Sequence, residues 1–149
     1  MSDNPDAFVY QAELDRVVDG DTVDVILDLG FDVKLHKQRV RLAGIDTPES
    51  RTRDLEEKKF GLLAKDKLQT LLANGKVIKT FKDAKGKFGR ILADVIVYHS
   101  AQDRWCGATE IMIQEGYGVK YHGQSKEDIQ EQHLANRIKL QEAGLVNKE

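Results

Sequence analysis

Two short acidic motifs in the first third of the chain have the residue types of a metal site. Two carboxylates flank a glycine in Asp19-Gly20-Asp21-Thr22, and a second acidic pair, Asp46 and Glu49, flanks Thr47-Pro48. Carboxylate oxygens are the ligands that hard cations such as Ca²⁺ prefer. Taken alone, residues 19–22 are more typical of a plain turn, because glycine adopts positive φ and aspartate bonds its own backbone. The acidic pair around Pro48 is also compatible with a helix start at Thr47-Pro48-Glu49.

Arginines accompany these acids. Arg39 and Arg41 stand two residues apart in a strand-like stretch, so their side chains point to one face. Arg90 follows the basic turn Lys85-Gly86-Lys87-Phe88-Gly89, whose lysines are equally typical of a solvated hairpin tip. A guanidinium pairs with two phosphate oxygens at once.

Together, the acids and arginines predict phosphodiester hydrolysis. The transition state of this reaction accumulates negative charge on phosphate oxygens, and cations that bind it more tightly than the ground state lower the barrier. A divalent metal polarises the phosphoryl oxygen, and a carboxylate orients or deprotonates the attacking water.

The elements that must position these residues begin as strands. Apolar residues alternate with polar ones over Phe8–Leu14, Val23–Leu29 and Val33–Leu42. The apolar phase shifts near His36–Gln38, which predicts a β-bulge, because a one-residue slip turns every side chain to the other face.

Helical spacing then appears from Phe60 to Leu72, with a stop at Asn74-Gly75. Strands are predicted at Val77–Lys82 and Phe88–Tyr98, a short helix at Thr109–Glu115, and a last helix from Ser125, its capping residue, to Gly144. Five strands, with a helix before the fourth and two helices at the end, indicate an α+β protein built on a five-stranded Greek-key β-barrel.

Composition limits the function classes. The 149 residues suit a single domain spanning 1–149, and the net charge of −2 requires any nucleic-acid function to use a local basic patch. A lone cysteine, Cys106, excludes an intrachain disulfide and a thiolate zinc cluster.

No long apolar run or secretory signal is visible, so we expect no membrane partner and a cytoplasmic location, with a secreted mature form left open. The four scattered histidines are interpreted as surface or packing residues.

The order and separation of three segments resemble the staphylococcal nuclease-like (thermonuclease) family. These segments are Val18–Thr22, Arg41–Glu49 and Phe88-Gly89-Arg90. Downstream, Gln114-Glu115-Gly116 and Glu131-Gln132-His133-Leu134 are similar to the family's second and third helices, so the resemblance covers about residues 8–144. It implies an OB-fold barrel with three α-helices.

The resemblance also implies specific roles. Ca²⁺ would be held by Asp21, Asp46 and the backbone carbonyl of Thr47, with Glu49 reaching it through water and Asp19 standing behind these ligands. Arg41 and Arg90 would bind the scissile phosphate, and Glu49 would either deprotonate the water or only position it. The implied substrate-binding residues are Lys85, Lys87, Phe88 (where the family typically has tyrosine) and Tyr121, with Tyr117 nearby.

The implied reaction is in-line attack of water that breaks the bond between phosphorus and the 5′ oxygen and leaves 3′-phosphates. We expect DNA and RNA substrates, preferably single-stranded, and a monomer. The main alternative is a barrel of the same type that binds nucleic acid or protein without cutting. Such a module could dispense with Asp21, Asp46 and Glu49, which are all present. Another alternative, an interaction domain using the C-terminal helix, has no particular residue in its favour.

Overall fold

The barrel is the organising element of the structure, a computed structural model that describes residues 9–73, 76–85 and 90–145, the segment 76–85 by its backbone alone. Its strands are β1 (Val9–Asp19), β2 (Thr22–Gly30), β3 (Val33–Leu42), β5 (Lys76–Lys85) and β6 (Ile91–His99). Neighbours pair antiparallel in the order β3-β2-β1-β5-β6, and parallel pairing of β3 with β6 closes the ring. The predicted five-stranded OB-fold is confirmed, and three helices accompany it in the described residues.

The β2–β3 hairpin carries the predicted bulge. Val25 faces Gln38 and Leu27 faces Leu35, so a single residue of β2 lies opposite two residues of β3. One of these two, Lys37, has a φ of 56°. The prediction of a bulge near residues 36–38 is therefore confirmed, and the bulge allows Val40 and Leu42 to enter the core at the end of β3.

The helices are α1 (Leu55–Leu72), α2 (Ala108–Gln114) and α3 (Lys126–Glu142). The predicted cap of α3 is present, since Ser125 Oγ accepts a hydrogen bond from the Asp128 backbone at 3.2 Å. Helix α1 begins five residues before the predicted Phe60, at Leu55, with Asp54 as its cap. Its first turn was missed because it lacks an apolar repeat, Leu55 being 73% exposed. The alternative helix start at residues 47–49 is wrong, because that segment is irregular.

Three short strands were not predicted. They are β4 (Ile45–Asp46), β7 (Arg104–Gly107) and β8 (Val119–Lys120). Four residues or fewer show no usable periodicity. The β4–β8 pair matters most, because it brings the chain that leads into α3 beside Asp46.

The remaining boundaries differ modestly from the expected ones. Strand β5 runs to Lys85, beyond the expected end at Lys82, and β6 begins at Ile91. The predicted helix stop at residues 74–75 and most of the basic turn, residues 86–89, lie outside the described residues.

Helix α1 packs against the barrel and completes its core. Phe60, Leu68 and Leu72 on this helix are each at most 2% exposed, as are Val23 and Val40 from the barrel strands. No described helix is long and apolar enough to cross a membrane.

Candidate functional site

A cleft of about 220 Å³ lies where β1 ends, β2 begins and β3 ends, beside the segment 47–50. It is lined by Asp19, Asp21, Thr22, Arg41, Asp46, Thr47, Pro48, Glu49 and Arg90. Every acid and arginine to which the sequence assigned a metal or catalytic role therefore lines this one cleft. The other predicted residues are separate: Tyr121 lines a neighbouring groove, Lys87 and Phe88 lie outside the described residues, and Lys85 is described by its backbone alone.

Asp21 is the central carboxylate of the cleft. It occupies the turn between β1 and β2, so the turn interpretation of residues 19–22 is also correct. Its Oδ1 accepts a hydrogen bond from Thr22 Oγ1 at 2.9 Å, and Oδ2 accepts one from the Thr47 backbone at 3.3 Å. Arg41 Nη2 lies 3.5 Å from the same Oδ2. Asp21 thus joins the acidic turn to an arginine and to the segment that carries Glu49.

Arg41 lies next to the end of β3, and its side chain reaches the cleft. Its Nη1 donates a hydrogen bond to the Leu42 carbonyl at 2.8 Å, and its side chain is 20% exposed. The guanidinium is therefore held at the cleft wall between Asp21 and the Leu42 carbonyl. Its planar fork of donors has the geometry that suits phosphate oxygens.

Segment 47–50 is fixed by hydrogen bonds to the end of β1. The Ser50 backbone donates to Asp19 Oδ1 at 3.2 Å, and the Ser50 hydroxyl contacts the same oxygen. Ser50 is 3% exposed. Because Glu49 directly precedes Ser50, this contact with Asp19 also fixes the backbone from which the exposed Glu49 side chain projects.

Two glycines allow α1 to press against this segment. A Cβ on Gly20 would lie 2.7 Å from Ala64 Cβ, and a Cβ on Gly61 would lie 2.2 Å from the Glu49 carbonyl oxygen. The φ of Gly20 is not positive, so the requirement for glycine here comes from close packing and not from backbone conformation. The sequence had suggested that the turn needs glycine for a positive φ.

We expect Gly61→Ala to destabilise the protein by about 1–3 kcal/mol, because the new methyl group meets rigid backbone. An alanine in a helix is otherwise about 1 kcal/mol more favourable than a glycine, so the sign is diagnostic. Urea unfolding measures the difference. The control is Gly107→Ala, where a Cβ meets no atom within 4 Å and the loss should stay below about 1 kcal/mol. A Gly61→Ala protein as stable as the wild type would contradict the packing described here.

Asp24 and Arg39 form a separate ion pair on the same two strands. Arg39 Nε lies 2.9 Å from Asp24 Oδ1, and Arg16 Nε lies 3.0 Å from Oδ2. The hydrogen bond from Arg39 holds the pKa of Asp24 below its ordinary value, and Asp24 raises the pKa of Arg39 in return. Neither residue lines the cleft. The predicted pair Arg39 and Arg41 is therefore divided between a structural ion pair and the site.

The charges of the cleft suit a cation. Four carboxylates and two guanidiniums line it, which gives the lining a formal charge of −2. The Thr47 Oγ1 atom is buried and has no hydrogen-bond partner among the described residues, and an ion or ordered water commonly explains such an atom. Among the described residues, no group of three or more His, Cys, Asp or Glu side chains is arranged so that it could hold a metal ion. The predicted ligand set places two carboxylates and a backbone carbonyl directly on the ion, with Glu49 reaching it through water.

His133 is the residue that sequence reasoning missed. Its Nε2 lies 2.7 Å from Asp46 Oδ2, and His133 is 8% exposed. The sequence showed only that Glu131-Gln132-His133-Leu134 resembles the family's third helix. Asp46 also lines a groove of about 600 Å³ beside the cleft, which contains His133 and Tyr121.

Comparison with known proteins agrees with this fold. Residues 39–145 match the family model described as staphylococcal nuclease homologue. The chain is 32% identical to the micrococcal nuclease of Shigella flexneri over 141 residues, which cover 91% of this chain and 73% of the relative. It is 32% identical to the SPbeta prophage-derived endonuclease YokF of Bacillus subtilis, over 79% of this chain and 40% of that protein. It is 37% identical to the thermonuclease of Staphylococcus intermedius, over 54% of this chain and 45% of that protein.

The chain spans less than half of the length of the last two relatives. The family model nevertheless matches most of the chain, and the Shigella relative is similar over nearly all of it. The fold and cleft define an OB-fold barrel with an acidic, arginine-flanked site. The chain belongs to the staphylococcal nuclease homologue family.

Proposed function

We propose that the protein is a calcium-dependent endonuclease that hydrolyses phosphodiester bonds of DNA and RNA. Membership of the family, together with relatives named as nucleases, supports a hydrolytic nuclease. The observation that carries the proposal is the single cleft in which Asp21, Asp46 and Glu49 face the same space as Arg41 and Arg90. These residues come from distant parts of the chain, and phosphodiester hydrolysis needs this combination of charges.

The proposed cation site uses oxygen ligands. Asp21, Asp46 and the Thr47 carbonyl would hold Ca²⁺, Glu49 would reach it through water, and Asp19 would stay behind as the anchor of Ser50. An all-oxygen set with flexible geometry suits Ca²⁺. When bound, the ion neutralises the acidic cleft and polarises a phosphoryl oxygen of the substrate.

The protein's own residues perform the remaining steps. Arg41 and Arg90 bind phosphate oxygens whose negative charge grows in the transition state, so they stabilise it more than the ground state. Glu49 accepts a hydrogen bond from the attacking water and orients it, or removes its proton. Water attacks phosphorus, the bond to the 5′ oxygen breaks, and that oxygen receives a proton. The products carry a 3′-phosphate and a 5′-hydroxyl.

Substrate binding is proposed to extend beyond the cleft. Tyr121, 45% exposed in the neighbouring groove, offers a face on which an unpaired base stacks. This is our reason for proposing a preference for single strands. Lys85, Lys87 and Phe88 are proposed to flank the phosphate, on the strength of the family resemblance. We further propose a monomeric, cytoplasmic protein.

A cleavage assay tests the proposal. Purified protein should degrade denatured DNA and RNA at about millimolar Ca²⁺, and an excess of chelator should stop the reaction because the cleft then lacks its cation. Electrophoresis of oligonucleotides that carry a 5′ fluorophore measures the rate, and phosphatase treatment should shift the labelled fragments if they end in 3′-phosphates. Restoring Ca²⁺ after chelation is the control. Binding without cleavage under these conditions would replace the enzyme with the non-cutting binding module.

A further inference from the structure

His133 contacts the proposed metal site from the neighbouring groove. Its side chain is 9% exposed and contacts Oδ2 of Asp46, whose side chain is 35% exposed. Asp46 lines both the cleft and the neighbouring groove, and His133 lines the groove. An ionised carboxylate only accepts hydrogen bonds, so this contact requires a hydrogen on Nε2 of the imidazole.

Other contacts made by the His133 face of α3 hold this residue in place. Residues three and four positions after His133 lie on the same face of the helix. There, Asn136 Nδ2 donates to the Gly118 carbonyl at 3.2 Å, and the Arg137 guanidinium lies 5.4 Å from the centre of the Phe60 ring. The helix is thus attached to the chain before β8 and to α1, and the imidazole is not a mobile surface group.

The strand pair β4–β8 fixes the other partner. Asp46 pairs with Val119, and the Tyr121 backbone donates to the Gly44 carbonyl at 2.9 Å. A Cβ on Gly118 would lie 2.5 Å from Ile45 Cδ1, so the two segments are in close contact. Both members of the His133–Asp46 hydrogen bond therefore sit on backbone that is itself anchored.

We propose that His133 is a positioning residue for the metal ligand Asp46. By donating to Oδ2, it fixes the rotation of the carboxylate and leaves Oδ1 to the cation. Hydrogen-bond partners of metal ligands typically contribute 10–100-fold to metal affinity. This inference rests on the proposed calcium site, and it adds a residue from α3 to a site otherwise built from the barrel and the segment 47–50.

Calcium binding measured by titration calorimetry tests the inference without substrate. His133→Leu removes the donor but keeps an apolar side chain, and we expect its Ca²⁺ affinity to fall about 10–100-fold. His133→Gln keeps an N–H donor at similar reach and should recover most of the affinity, whereas the shorter His133→Asn should not. His36→Gln, at an exposed position on β3, is the control and should bind Ca²⁺ like the wild type. In an Asp46→Asn background, His133→Leu should add no further loss.

The outcomes separate this inference from the proposed function. If the wild type binds Ca²⁺ and cuts DNA while folded His133→Leu binds Ca²⁺ equally well, His133 is only a packing residue and the inference is overturned. If Gln and Asn variants lose affinity equally, donation from Nε2 is not the cause and the inference also fails. If His133→Leu does not fold by circular dichroism, the Gln and Asn pair decides. If the wild type binds no Ca²⁺, both proposals fall.

Discussion

Arg41→Lys should lower kcat by about 10²–10³-fold, the usual loss when one transition-state donor is removed. Lysine keeps the positive charge near Asp21 but loses the fork of donors that binds two phosphate oxygens. The Nη1 bond to the Leu42 carbonyl and the 3.5 Å contact with Asp21 show how the guanidinium is aimed. Because the charge remains, Ca²⁺ affinity should be largely retained. Steady-state cleavage of a labelled oligonucleotide measures kcat, and calorimetry measures the affinity.

Arg39→Lys is the matched control for this prediction. Arg39 precedes Arg41 by two residues on β3, and it pairs with Asp24 outside the cleft. Its side chain is 40% exposed, so the pair should contribute no more than about 1 kcal/mol of stability. We expect nearly wild-type kcat. Equal losses in the two variants would mean that strand β3, and not the Arg41 donors, determines the rate.

Asp21→Asn should eliminate measurable cleavage and weaken Ca²⁺ binding by at least about 10²-fold, more than the loss of an outer partner. The amide has almost the same shape and retains an oxygen acceptor for the Thr47 backbone, so the fold should persist. The substitution removes one negative charge from a cleft whose formal charge of −2 suits a divalent ion. Titration calorimetry, cleavage rate and circular dichroism together measure these effects.

Asp24→Asn provides the corresponding control on β2. Asp24 lies three residues beyond Asp21 and is held by Arg39 and Arg16. Its substitution should leave Ca²⁺ affinity and cleavage close to those of the wild type, with only a small loss of stability. If Asp21→Asn binds Ca²⁺ as tightly as Asp24→Asn, Asp21 is not a ligand.

The barrel was predictable because its signals are local. Alternating apolar residues marked β1, β2 and β3, and the phase shift at residues 36–38 located the bulge that the pairing shows. Convergence of the two acidic motifs followed from the family resemblance. In the structure, a backbone hydrogen bond of 2.8 Å from Leu42 to Asp21 joins the end of β3, which precedes Asp46, to the acidic turn. Short motifs at strand ends are conspicuous in a sequence, so the acids and arginines of the cleft could be identified.

The parts that were missed depend on distant packing. His133 and Asp46 are 87 residues apart and meet through the two-residue strands β4 and β8, which have no periodicity. Gly20 does lie in a turn, but its φ is not positive as expected, and the proximity of Ala64 on α1 explains the need for glycine. The start of α1 was missed because its first turn is largely solvated. Sequence patterns report the surroundings of single elements, and these features arise between elements.

A crystal structure of the protein grown with Ca²⁺ tests whether the two acidic motifs hold one ion. We expect one cation in the cleft, about 2.3–2.6 Å from an oxygen of Asp21, an oxygen of Asp46 and the Thr47 carbonyl, with Arg41 and Arg90 facing it. A cation bound elsewhere on the chain, or a cleft that stays without one at a Ca²⁺ concentration supporting cleavage, would contradict this expectation.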